Sequence, residues 1–156
     1  MNPTPATPAC GGCQCGAVRY EIHAALEKIH LCHCRMCQRA MGNAFAALAG
    51  SPRDALRWTQ GTPKYYASSS LARRGFCADC GTPLSFEYLD ASRVYLTIGS
   101  LDDPAAAAPG VHYGAESWLP WLHLQDGLAR EPTADDPRLR NMQILQSAIA
   151  PPRIEF

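Results

Sequence analysis

The chain has 156 residues, with 14 Lys plus Arg against 14 Asp plus Glu, a formal net charge of zero and eight cysteines. That length suits one domain with a core of its own. Balanced charge without a cationic run argues against a nucleic acid or an anionic membrane as partner, because phosphate binding needs clustered Lys and Arg.

The N-terminal "MNPTPATPACGG" carries neither the cationic nor the apolar block of a signal peptide. The longest apolar run, Ala44 to Ala49, is too short to cross a bilayer. The expected location is therefore cytoplasmic. Thiols stay reduced there, so the cysteines read as metal ligands or catalytic groups before disulfides.

Residues 1–9, mostly Pro, Thr and Ala, read as a disordered tail. "VRYEIH" alternates Val18, Tyr20 and Ile22 with Arg19, Glu21 and His23, the period of a half-buried strand. "AFAALAG" (44–50) is a buried strand or a short helix, which periodicity alone does not separate. "TQGTPKYYASSS" turns at Gly61 and Pro63 and then becomes strand-like. "PLSFEYL" and "RVYLTIGSL" (93–101) read as strands, the second closed by "DDP". "LDDPAAAAPG" has room for one helical turn between its prolines. Residues 129–156 form a polar, Pro-rich extension with one short helix expected in "LRNMQILQSAI". The expected fold is thus mainly β, with many short strands over residues 10–128 and little helix.

The cysteines fall into groups. Cys13-x-Cys15-Gly16 and Cys77-x-x-Cys80-Gly81 are two knuckle-like pairs, each followed by a glycine. The backbone must double back for both sulfurs to reach one ion, and glycine accepts the positive φ this needs. With 61 residues between the pairs, a shared ion would staple the base of a long excursion and contribute to folding. Cys32, Cys34 and Cys37 lie within six residues of one another. Three protein ligands and an open fourth position are the pattern of a catalytic zinc. Two residues compete for that position. His30 shares parity with Cys32 and Cys34, whereas His33 points away from both, and Cys10 can also serve either here or as Cys10-x-x-Cys13 at the first ion.

Other polar residues are read more plainly. Asp102 and Asp103 in "LDDP" belong to a solvated turn. Arg73 and Arg74 either grip a substrate carboxylate or are solvated. Trp118 and Trp121 are expected in the core, and His112 is a candidate pocket residue. There is no G-x-S-x-G, no phosphate-cradling glycine loop and no H-E-x-x-H.

Five segments in order, "GGCQCGAVRYE", "CHCRMCQRAMGNAF", "ARRGFCADCGTPLSF", "GSLDDP" and "HYGAESWLPWLHLQDGL", resemble the glutathione-dependent formaldehyde-activating enzyme family, which also contains centromere protein V. The resemblance runs from Gly11 to Leu128. It implies a β-tent, several short coiled antiparallel sheets stapled by zinc. It also implies that Cys13, Cys15, Cys77 and Cys80 are structural zinc ligands and that Cys32, Cys34 and Cys37 hold a second, catalytic-type zinc. Cys10 is not part of the family pattern.

Three thiolates leave zinc(II) with one net negative charge, a poor Lewis acid but a good seat for a fourth thiol, held there as thiolate near neutral pH. The expected chemistry is carbon–sulfur bond formation: a thiol, glutathione by resemblance, adds to formaldehyde or a related small carbonyl. The alternative is a non-enzymatic zinc-stabilised module of the same fold that binds a protein partner.

Overall fold

The computed structural model describes residues 7–143. In chain order its strands are β1 (Ala9–Gly12), β2 (Arg19–Ile22), β3 (Glu27–Cys32), β4 (Ala46–Pro52), β5 (Leu56–Gln60) and β6 (Lys64–Ala67). They continue with β7 (Ala72–Phe76), β8 (Pro83–Tyr88), β9 (Arg93–Thr97), β10 (Val111–Tyr113) and β11 (Ala129–Glu131). One α-helix, α1 (Arg35–Met41), interrupts them. No helix among the described residues is long and apolar enough to cross a membrane. The mainly β expectation holds. The first six residues of the expected tail, and residues 144–149 of the expected C-terminal helix, lie outside the described residues.

Two sheets form. The smaller has the order β1-β2-β5, and the larger β11-β10-β3-β4-β9-β8-β7-β6. Pairing is antiparallel except at β10, which runs parallel to both β3 and β11. "AFAALAG" resolves as strand because β4 is flanked on both edges, by β3 and by β9. Five of its seven residues are buried, so it lacks the polar alternation of a one-sided strand.

The strand reading of "VRYEIH" is borne out on both counts. Tyr20 and Ile22 of β2 are buried, together with Val18 just before it, while Arg19, Glu21 and His23 stay partly exposed. The main core joins these residues to Leu84 of β8 and to Val94 and Leu96 of β9, filling the space between the two sheets. Tyr95 alternates to the other face of β9, where a second cluster packs Cys32, Cys37, Ala46 and Leu48 with Phe86 and Tyr113. That second face carries the three-cysteine group.

Helix α1 was not anticipated from the sequence. It is seven residues long, starts with Cys34 as N-cap and ends on Gly42 in the left-handed region. A segment this short shows too little of the 3.6-residue period to be read. The turn between the prolines does form, as a 3-10 turn over Pro104–Ala106.

Candidate metal centres

The first cysteine group brings the two sheets together. Cys13 and Cys15 follow β1, and Cys77 and Cys80 sit in the turn between β7 and β8. All four Sγ atoms lie within 4.8 Å of one another. Cys13 and Cys15 are 3.6 Å apart at sulfur, and Cys15 and Cys77 are 3.8 Å apart. Four sulfurs bound tetrahedrally at about 2.3 Å to zinc would be about 3.8 Å from each other, so the spacing fits that ion. Gly16 and Gly81 have φ of 81° and 77°, the positive values the knuckle turns require. Backbone and hydroxyl donors surround the sulfurs: Val18 N–H donates to Cys13 Sγ at 3.2 Å, and the Thr82 hydroxyl lies 3.1 Å from Cys80 Sγ. The Thr82 hydroxyl is the first cause that draws the Cys80 thiol down to about 5.

Three adjoining pieces of chain build the second group. Cys32 ends β3, Cys34 caps α1 and Cys37 lies in the first helical turn. Their sulfurs also lie within 4.8 Å of one another, with no fourth Cys, His, Asp or Glu donor in the group among the described residues. Cys37 N–H donates to Cys34 Sγ at 3.4 Å. Hydrogen bonds from Cys32 and Cys34, and then the Arg74 cation, hold the Cys37 thiol well below its ordinary range. Hydrogen bonding with Cys34 and Cys37 pushes Cys32 well above it. A soft, thiolate-only donor set suits zinc.

The trio opens on a cavity of about 510 Å³, bordered by β3, β7 to β9 and the segment after β11. That volume suits a small molecule. His30 borders the same cavity, in line with its parity, but its Nδ1 lies 2.7 Å from the Lys28 carbonyl oxygen and it is not in the sulfur group. Cys10 belongs to neither group. It lies on β1, and its thiol donates to the Pro8 carbonyl at 3.7 Å.

Behind the trio runs a chain of hydrogen bonds that sequence reasoning missed. His33 is fully buried, pointing away from its cysteine neighbours, and its ring stacks on Trp118 with centroids 4.1 Å apart. His33 Nε2 is 2.9 Å from His112 Nδ1, and His112 Nε2 is 2.8 Å from Asp126 Oδ2. The carboxylate accepts from His112 Nε2–H, which leaves Nδ1 to accept from His33 Nε2–H. Burial drives His33 down to about 4, so it stays neutral. His112 is therefore no pocket residue. It braces the Cys32–Cys34 segment from the side opposite the sulfurs. The only sequence cue was the clustering of His33, His112 and Trp118 in motif-dense stretches.

The other expectations divide. Trp118 donates to the Leu122 carbonyl at 2.7 Å within this packed layer, but Trp121 is 68% exposed and not core. Arg73 pairs with Glu87 at 2.9 Å, whereas Arg74 is buried against Cys37. Asp102 sits in a turn, as expected, and is held there by Arg19.

This architecture, two short-stranded sheets joined at a four-cysteine knuckle with a three-cysteine group opening on a cavity, defines a cysteine-rich β protein with two candidate zinc centres. The chain belongs to the glutathione-dependent formaldehyde-activating enzyme family, whose profile matches residues 8–117. It is 33% identical over 85 residues to a Schizosaccharomyces pombe protein named as an uncharacterized lyase, a match spanning 54% of this chain and 61% of that relative. It also resembles the crystal structure of a Rhodobacter sphaeroides protein at 25% identity and a TM-score of 0.50, over 60% of this chain and 87% of the other.

Proposed function

We propose that the chain is a zinc-dependent carbon–sulfur lyase-type enzyme that condenses a thiol with a small carbonyl at Cys32, Cys34 and Cys37. Glutathione and formaldehyde are the pair the family name supplies. One observation carries this: three sulfurs converge without a fourth protein donor among the described residues and face a cavity of about 510 Å³, while Cys13, Cys15, Cys77 and Cys80 complete a set of their own. Zinc held by the trio would favour the thiolate form of an added thiol near neutral pH and present a sulfur nucleophile.

The protein's own part is positional. The cavity walls hold the thiol's body and keep the carbonyl carbon near its sulfur, a proximity effect that asks for few reacting side chains. The carbon–sulfur bond forms as the carbonyl π bond opens and its oxygen takes a proton from solvent, replacing the one the thiol released, and these changes reverse in the lyase direction. Cys13, Cys15, Cys77 and Cys80 are proposed to hold a structural zinc. All eight cysteines are unpaired, which suits a reducing, cytoplasmic setting.

Exchange NMR on an equilibrium mixture of glutathione and formaldehyde tests the proposal, because it reads the rate above the spontaneous background. Wild-type protein should raise the exchange rate of the hydroxymethyl adduct, and Cys37→Ser should return it to background. Equal rates with wild type, Cys37→Ser and no protein would exclude the reaction.

A further inference from the structure

Arg74 is only 4% exposed, and its Nη2–H donates to Cys37 Sγ at 3.4 Å. Its guanidinium carbon lies 4.8 Å from the centroid of the Phe86 ring. Nε and Nη1 are buried and have no hydrogen-bond partner. Adjacent Arg73 has a carboxylate partner in Glu87, but among the described residues Arg74 has no such ion pair. A buried cation without a paired anion is strongly unfavourable. Among the described residues the Cys37 sulfur is the hydrogen-bond acceptor that meets it, and both residues border the same cavity.

The charges then balance in a particular way. Three thiolates, one divalent cation and one guanidinium sum to zero, so the loaded centre is neutral before any fourth ligand arrives. Without the guanidinium it is a monoanion and repels a second negative charge in a partly desolvated space. We infer that Arg74 is the counter-charge that makes the three-cysteine centre prefer an anionic fourth ligand to a neutral one. A thiol can then enter as thiolate with its proton released to solvent. Nε and Nη1 remain donors for an incoming acceptor.

Metal occupancy of this centre is a premise shared with the proposed function, but the identity of the thiol is not. An inorganic anion therefore serves as the main probe. Full-length protein loaded with cobalt(II) reports ligand changes at the thiolate centre through its visible bands, and azide and imidazole are titrated as anionic and neutral fourth ligands. Coulomb attraction across a few ångströms at a partly buried site predicts that Arg74→Gln weakens azide binding by about ten- to a hundredfold, while imidazole shifts by less than about twofold.

Arg74→Lys should keep most of the azide preference. If the Gln variant does not load cobalt at the trio, the Lys variant decides. Preference retained with the charge supports the assignment, and preference lost with the charge still present overturns it. Equal weakening of azide and imidazole in Arg74→Gln, or no change in azide, also overturns it. A wild-type centre that shows the azide preference but takes up no glutathione would uphold the role of Arg74 and remove the proposed reaction.

Discussion

The Sγ atoms of Cys15 and Cys77 lie 3.8 Å apart although 62 positions separate the two residues. Cys15 belongs to the loop between β1 and β2 of the small sheet and Cys77 to a turn of the large one, so an ion between them would tie the sheets at one point. Binding energy at such a site is folding energy. Cys77→Ser should lower the thermal unfolding midpoint by at least about 10 °C, since each kcal/mol shifts a chain of this size by about 2–4 °C. Cys37→Ser should lower it much less, because its group joins only neighbouring pieces of chain. Calorimetry on both variants, with zinc counted on each, makes the comparison.

Gly114 packs directly against Cys34 of the trio. Its φ is 66°, and an added Cβ would stand 2.8 Å from the Cys34 nitrogen and 3.1 Å from the Cys34 Cβ. Gly114→Ala should therefore press on Cys34 and weaken metal at the second centre by about tenfold or more, the scale seen for outer contacts of metal ligands. The four-cysteine site should stay loaded. Chelator competition that separates the two sites by affinity gives the answer.

How far the sequence showed this arrangement depended on the range of the signal. The cysteine groups were legible because ligand spacing is local and glycine marks each knuckle turn. Strand parity correctly set His30 on the cavity side with Cys32 and turned His33 away. It could not show what His33 meets, because His112 and Trp118 arrive from a strand and a turn about 80 positions later, and β10 is only three residues long. Parallel pairing of so short a strand leaves no local pattern. Arg73 and Arg74 looked equivalent, and only the pairing of β7 with β8 puts one on Glu87 and the other on Cys37.

His112→Ala should remove the acceptor of His33 and the partner of Asp126 together. Loss of a buried hydrogen-bonded ring leaves His33 with neither nitrogen satisfied. The expected destabilisation is about 2–4 kcal/mol. Urea unfolding of zinc-loaded protein measures it, and a value under about 0.5 kcal/mol would mean the relay contributes no support.

Glu87 tests a different part of the large sheet. Its side chain is 3% exposed and meets both Arg53 and Arg73. Both arginines keep access to water, so their charges can be rehydrated when the carboxylate is lost. Glu87→Ala should therefore cost about 1–3 kcal/mol, below the 3–5 typical of a fully buried broken pair. The zinc content should not change, which combined urea titration and metal analysis will show.

The account rests most on the open position at Cys32, Cys34 and Cys37. Zinc per chain, measured after desalting with and without prior glutathione, addresses it directly. Two zinc ions per chain are predicted, one indifferent to glutathione and one whose retention changes with it, and Cys32→Ala should abolish only the second. A single tightly held zinc that glutathione leaves untouched, with no difference in Cys32→Ala, would contradict the account.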